Sequence, residues 1–100
     1  MTVNKTQEGD KTIFALDGRL DTTTSPKLQE ALIPAIDEAQ GVTLDFAGLS
    51  YISSAGLRVL LMGQKAANSK NISMTIRNVS EEIMEVFDMT GFTEMLSIDS

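Results

Sequence analysis

The 100-residue chain contains no cysteine, no histidine and no tryptophan. Without cysteine it can form neither a disulfide nor a thiolate zinc site, and without histidine it lacks the base of a Cys–His pair or a Ser–His–Asp triad. Its six methionines are better explained by core packing than by metal binding. Most familiar enzyme chemistries are thereby excluded, and we expect the protein to need no metal ion or other cofactor.

Basic residues are also scarce. The chain has eight Lys and Arg side chains and 14 Asp and Glu side chains, which gives a formal net charge of −6. Such a chain is poorly suited to nucleic acid or anionic membranes, where Lys and Arg supply much of the affinity. No apolar run approaches the roughly 20 residues that cross a bilayer, and the polar N-terminus lacks the pattern of a secretory signal. We expect a cytoplasmic protein that neither binds nucleic acid nor inserts into a membrane.

The length and the hydrophobic pattern predict one domain over residues 1–100. Apolar side chains recur at helical spacing in residues 28–39, whereas residues 42–46 and 72–77 alternate between apolar and polar side chains, as strands do. The expected strands are residues 2–6, 12–16, 42–46, 72–77 and 95–98, and the expected helices are residues 25 to about 40, 53 or 54 to about 69, and 80–90 with Ser80 as the cap. The order β-β-α-β-α-β-α-β indicates an α/β fold with helices packed on a mixed sheet.

Turn-forming and capping residues set the expected boundaries of these elements. The pairs at residues 9–10 and 17–18 bracket the second strand, which is expected to form a hairpin with the first. Ser25 is expected to cap the first helix, with Pro26 at its first position. Residues 47–52 are expected to form a short loop before the second helix.

The most informative stretch is the junction between the third strand and the second helix, where Ser53, Ser54, Ala55 and Gly56 follow one another. Paired hydroxyls and small residues could place a reactive side chain at an open helix N-terminus. Alternatively, Ser54 is only an N-cap, which is worth roughly 1 kcal/mol of helix stability. The spacing alone favours the cap.

The second helix is expected to present a partly apolar outer face. Its inner face is formed by Leu57, Leu60 and Leu61, whereas its outer face carries Arg58, Met62, Lys65 and Ser69, flanked by Val59, Gly63 and Ala66. Such a cluster beside an accessible serine is compatible with a partner-binding surface and with an ordinary solvent-facing helix. The pattern does not decide between the two.

Residues 45–57, DFAGLSYISSAGL, resemble the signature of the STAS domain family, and specifically of bacterial anti-sigma factor antagonists. Residues 18–21, GRLD, are similar to the family's Gly-x-Leu/Ile-Asp after the second strand, and residues 87–92, FDMTGF, are similar to the end of its last helix. These landmarks cover nearly the whole chain. The resemblance implies a STAS-like fold and a regulatory protein that is not an enzyme.

In the family pattern, commonly Asp-Ser-Ser/Thr-Gly-Leu, the first hydroxyl residue after the Asp is phosphorylated by an anti-sigma factor kinase. The corresponding residue here is Ser54, whereas Ser53 replaces the usual Asp and Ala55 replaces a frequent second hydroxyl. The resemblance implies partner switching. In this scheme the unphosphorylated protein would bind the kinase and free a sigma factor, phosphorylation of Ser54 would release the kinase, and a PP2C-like phosphatase would reset the protein.

The resemblance also implies a partner-binding surface around the junction. Its expected members are Asp21, Ser53, Ser54, Ala55, Gly56, Arg58, Val59 and Met62. Asp21 would orient hydroxyls or shape the kinase-facing surface, or it would only cap its own loop through Thr23 or Thr24; the sequence favours neither role. Gly56 is further expected to let the helix start close to neighbouring backbone.

Two other functions compete with partner switching. The absence of Asp at position 53 favours a STAS subunit that binds its partner independently of phosphorylation, in a transporter complex or a signalling scaffold. A nucleotide-binding or hydrolytic enzyme using Ser54 has weak support, because there is no phosphate-binding Gly-x-x-x-x-Gly-Lys loop and no histidine. Only the fold could bring Asp17, Asp21 and Asp45 together to supply a base.

Overall fold

The computed structural model describes residues 1–99, and these form the predicted succession of strands and helices. The elements are β1 (Thr2–Glu8), β2 (Lys11–Leu20), α1 (Ser25–Glu38), β3 (Gly41–Ile52), α2 (Ser54–Ser69), β4 (Ser73–Arg77), α3 (Glu81–Thr90) and β5 (Ser97–Asp99). A short 3₁₀ helix, Phe92–Glu94, lies between α3 and β5. Within residues 1–99, no helix is both long and apolar enough to span a membrane.

The five strands form one mixed sheet in the order β1-β2-β3-β4-β5. The antiparallel pair β1 and β2 is the predicted hairpin, with Glu8 opposite Lys11 and Gly9 at a φ of 65° in the connecting turn. The other neighbouring pairs are parallel and are joined through helices. Because strand order follows chain order, right-handed crossovers place α1, α2 and α3 on the same face of the sheet.

The core lies between this face of the sheet and the three helices. Every second residue of β3 is buried at its start, whereas the intervening Thr43 and Asp45 are partly exposed on the other face. Phe46 of β3 packs near Phe87 of α3, with 6.4 Å between the ring centroids. The largest fully buried side chains are Phe14, Phe46, Phe87, Leu16, Leu20, Leu28, Leu32, Ile36, Leu44, Leu60, Met74 and Ile76. The period-two and helical patterns of the sequence thus correspond to real buried faces.

The central strands β2 and β3 are longer than predicted. Residues 17–18, expected as a turn, lie within β2, and residues 47–52, expected as a loop, lie within β3. The two segments pair with each other, with Leu20 opposite Ile52, and the register shifts twice along the way. Gly18, at a φ of 108°, supplies the backbone conformation that such an irregularity requires. Residues that are typical of turns and loops are tolerated within these strands as irregularities, because the backbones of β2 and β3 form hydrogen bonds with each other.

The first helix also begins differently from the prediction. Thr24 occupies the N-cap position, and Ser25 is the buried first helical residue, so Ser25 is not the cap. The Ser25 hydroxyl instead donates to the Asp21 carbonyl at 2.5 Å. By contrast, the predicted cap of α3 is confirmed, because the Ile83 N–H donates to the Ser80 hydroxyl at 3.2 Å. The last strand begins at Ser97, two residues after its predicted start.

Candidate functional site

The junction between β3 and α2 is held against the neighbouring strand. Leu20, the last residue of β2, pairs with Ile52, the last residue of β3, and both side chains are buried. The Ser53 N–H then donates to the Leu20 carbonyl at 2.9 Å. The backbone that enters α2 is therefore positioned by the sheet.

Of the two candidate serines, Ser53 is the N-cap of α2. It has extended backbone angles, and its hydroxyl accepts a hydrogen bond from the Gly56 N–H at 3.3 Å. This is the usual geometry in which a cap side chain satisfies a free N–H of the first turn. Ser53, and not Ser54, therefore caps α2.

Ser54 is the first residue of α2, and its side chain is exposed to solvent. The first N–H groups of a helix have no partner within the helix, and they give this end a partial positive charge. A phosphate on Ser54 would lie beside that positive charge. The structure therefore presents an accessible hydroxyl whose modification the fold can accommodate.

Gly56 lies beneath the junction, where it is buried. A Cβ at this position would be 2.8 Å from the Leu20 Cγ and 2.9 Å from the Ile52 Cγ1, closer than side chains normally approach. Gly56 thus allows α2 to start directly over the ends of β2 and β3. The nearest atoms are therefore the side chains of Leu20 and Ile52 and not the neighbouring backbone that was expected. Because Gly56 is buried and has no side chain, it does not contribute a side chain to a partner-facing surface.

The outer face of α2 is narrower than predicted. Arg58, Met62 and Lys65 are exposed, but Val59 is buried at 4% exposure and Gly63 is buried too. The prediction that Val59 and Gly63 flank an exposed face is therefore wrong. The reason is the packing of α1 along this side of α2, where the Leu32 Cδ2 comes within 2.7 Å of the position that a Cβ on Gly63 would occupy.

A groove of about 230 Å³ separates the start of α1 from the start of α2. It is lined by Thr22, Ser25, Pro26, Gln29, Ala55, Arg58, Val59 and Met62. Four residues of the predicted partner-binding surface therefore border one concave feature beside Ser54. Met62, with 37% of its surface exposed, supplies an apolar contact at the rim.

Asp21 lies in the loop after β2, and its carboxylate is engaged within that loop. Its Oδ1 accepts from the Thr23 hydroxyl at 2.8 Å and from the backbone N–H groups of Thr23 and Thr24 at 3.0 and 3.1 Å. The pKa of Asp21 is lowered, first of all by the hydrogen bond from the Thr23 hydroxyl. Desolvation raises this pKa, but the further bonds from Thr24 and from the Thr23 backbone lower it, and the hydrogen bonds outweigh the desolvation. Asp21 was expected either to shape the partner-facing surface or to cap its own loop, and these bonds are those of a loop cap.

Replacing Asp21 by Asn is expected to lower the urea midpoint of unfolding at neutral pH. Because the folded-state pKa of Asp21 is below its ordinary value, the carboxylate stabilises the fold above that ordinary value, and this contribution is lost as the pH falls through the lowered pKa. The difference between wild type and Asp21→Asn should therefore shrink in acid. Thr23→Ala should cause a similar loss, and the double variant should lose less than the sum. Equal midpoints at neutral pH would contradict the loop-capping role.

The structure also adds a pair that the sequence reasoning missed. Arg19 pairs with Tyr51 across β2 and β3, and its guanidinium lies 4.1 Å from the centre of the tyrosine ring. Tyr51 is 39% exposed and immediately precedes the last residue of β3. The pair was missed because residues 47–52 were expected to be a loop, and only the register of the two strands brings Arg19 to Tyr51.

The carboxylates Asp17, Asp21 and Asp45 do not assemble into one acidic cluster, and within residues 1–99 no three acidic side chains converge as metal ligands would. Asp45 instead accepts hydrogen bonds from Asn78 and from the Ala47 N–H, both at 3.0 Å. Although partial burial raises the pKa of Asp45, these bonds and the charge of Arg77 lower it overall. Asp45 therefore fastens the end of β4 to β3.

Comparison with known proteins assigns the chain to a family. The model of the STAS domain matches residues 2–100. The chain belongs to the STAS domain family. An anti-sigma-B factor antagonist of Staphylococcus epidermidis is 35% identical over 83 residues, which cover 82% of this chain and 77% of that protein. The anti-sigma-B factor antagonist of Bacillus subtilis is 28% identical over 83 residues, covering 83% of this chain and 76% of the relative.

Solved structures of other proteins show the same fold. An anti-sigma factor antagonist STAS domain protein from Planctomyces limnophilus superposes with a TM-score of 0.83 at 20% identity, over 96% of this chain and 87% of the other. The Bacillus cell fate determinant SpoIIAA in its phosphorylated form superposes with a TM-score of 0.77 at 17% identity, over 99% of this chain and 92% of the other. These likenesses confirm the predicted STAS-like fold.

Proposed function

We propose that this STAS protein is an anti-sigma factor antagonist that binds an anti-sigma factor serine kinase and is released when Ser54 is phosphorylated. The relatives named as anti-sigma-B factor antagonists support the general function. The proposed switch is supported by one observation: Ser54 is the exposed first residue of α2, while Ser53 provides the cap. Ser54 is thus available for modification without loss of the helix start.

The predicted surface supports such a complex after one adjustment. Gly56 and Val59 are buried and only support this surface from below. The members that are at least partly exposed around the start of α2 are Asp21, Ser53, Ser54, Ala55, Arg58 and Met62. A mixture of a basic residue and an exposed methionine beside a groove is suited to a protein partner. The interaction would therefore place Ser54 inside the complex.

Phosphorylation would oppose this complex by simple electrostatics. The phosphate adds roughly −1.5 to −2 charges and three acceptor oxygens to a surface that must lose water when the partner binds. The positive end of α2 would stabilise the phosphate on the free protein. Release requires no large change of fold, and removal of the phosphate by a PP2C-like phosphatase in the cytoplasm would restore binding.

Incubation of the protein with ATP and its cognate kinase is expected to add one phosphate to wild type and none to Ser54→Ala. Intact-mass measurement and fragmentation of the phosphopeptide would give the number and the position of the phosphates. Ser53→Gly is the matched control, because glycine is tolerated at an N-cap and leaves Ser54 in place. A phosphate on Ser53 in the wild-type protein would refute the assignment of Ser54.

A second function is favoured by one observation, the serine at position 53 where the family commonly has Asp. It is a STAS subunit that binds its partner independently of phosphorylation, in a transporter complex or a signalling scaffold. Such a subunit would use the same groove and the same face of α2. The two functions differ in whether a negative charge at position 54 changes the affinity for the partner.

A further inference from the structure

The exposed side of α2 carries a cation one helical turn beyond Ser54. Arg58 follows Ser54 by four residues, and both side chains are exposed, so they lie on the same face of the helix. The ion pairs found within residues 1–99 use Lys70 and Arg77 as their cations. In the described part of the chain, the Arg58 guanidinium is therefore not committed to a carboxylate.

Few acidic side chains compete for this guanidinium. The whole of α2 contains no Asp or Glu, and the cap that precedes it is Ser53. The nearby loop contributes Asp21, whose Oδ1 already accepts hydrogen bonds from Thr23 and Thr24. A phosphate on Ser54 would thus be the strongest anion on its own helix.

We propose that Arg58 binds the phosphate of phosphorylated Ser54 in an ion pair across one turn of α2, an inference that rests on the proposed phosphorylation. A planar guanidinium can donate two parallel hydrogen bonds to phosphate oxygens. An acidic group four residues before a basic group is also the favourable order on a helix. Arg58 is thereby a positioning residue for the phosphate.

This ion pair adds a second effect to the negative charge itself. Arg58 borders the groove between α1 and α2, where it is available to a partner in the unphosphorylated protein. Once it is bound to the phosphate, its charge is neutralised by its own chain. Phosphorylation therefore both introduces an anion and withdraws a cation from the partner-facing surface.

The test uses protein into which phosphoserine is incorporated at position 54 during translation, so that no kinase is needed. The pH midpoint of the second phosphate ionisation, near 6 for a free phosphoserine, is followed by ³¹P NMR. The midpoint should be about 0.3 pH unit lower with Arg58 than in Arg58→Gln. Arg58→Lys should retain part of this shift, and the difference should decrease at about 1 M salt, where exposed charges are screened.

Lys65→Gln is the matched control, because Lys65 is an exposed cation on the same helix, about two turns beyond Arg58. It should leave the midpoint unchanged. Equal midpoints in the protein that retains Arg58 and in Arg58→Gln would overturn the ion pair. A shift in Lys65→Gln as large as that in Arg58→Gln would overturn it too, because it would indicate a general effect of charge. Neither result depends on whether a kinase modifies Ser54, so failure of the ion pair is distinguishable from failure of the proposed function.

Discussion

Ser54→Asp is expected to weaken binding to the anti-sigma factor kinase by about a hundredfold relative to wild type. The substitution places a charge at the exposed start of α2, where the partner must exclude water. A repulsive and desolvation cost of about 3 kcal/mol corresponds to this change in the dissociation constant. Asp is well tolerated in the first turn of a helix, so the free protein should fold as wild type does. Isothermal titration calorimetry with the purified kinase would measure the affinity.

Ser54→Asn separates charge from shape, because Asn has nearly the size of Asp and no charge. It should retain most of the affinity that Ser54→Asp loses. Phosphorylated wild-type protein should bind at least as weakly as Ser54→Asp, since phosphate carries more charge than a carboxylate. Equal affinities of wild type, Ser54→Asp and the phosphorylated protein would refute the switch and support the phosphorylation-independent binding subunit.

Gly56→Ala is expected to lower the free energy of unfolding by about 2 kcal/mol, the usual cost of inserting a methyl group into a packed interior. The new Cβ would lie 2.8 Å from the Cγ of the fully buried Leu20, a branch point that can move only if both methyl groups of the side chain move with it. The Ile52 Cγ1 is nearly as close, at 2.9 Å. The helix propensity of Ala offsets part of this cost, and urea unfolding at constant m-value would measure the net change.

Gly63→Ala is the matched control on the same helix. Its new Cβ would meet the Leu32 Cδ2 at 2.7 Å, but this atom is the free end of a side chain and can rotate away. Gly63→Ala should therefore destabilise the protein less than Gly56→Ala, and the gain in helix propensity, which applies to a helix interior, acts in the same direction because Gly56 lies in the first turn. Equal stability of Gly56→Ala and wild type would contradict the tight packing of Gly56 against the Leu20 and Ile52 side chains.

The sequence was most reliable where local chemistry determines structure. Ser80 was predicted to cap α3, because its hydroxyl can satisfy a free N–H group at the start of a helix, and the structure shows this bond. The choice between Ser53 and Ser54 was open, since either hydroxyl could cap α2. It was decided by the backbone of Ser53, whose N–H is held by the Leu20 carbonyl of the neighbouring strand.

The prediction failed where long-range pairing overrides local preference. Residues 47–52 look like a loop, but they form the end of β3 because the end of β2 pairs with them. The same pairing produces the contact between Arg19 and Tyr51, which no spacing in the sequence indicates. Val59 was expected near the surface of α2, and only the packing of α1 against that side buries it.

The sequence by itself determined the α/β class, the order of the elements and the STAS resemblance, because periodicity, caps and the motif at residues 45–57 are properties of short segments. It also singled out Ser54. The tertiary structure decided that Ser53 is the cap, that Ser54 is the exposed residue and that Arg58 lies beside it without a carboxylate partner in the described part of the chain. These features depend on the register of β2 against β3 and on the packing of α1 against α2, which bring together residues far apart in the chain.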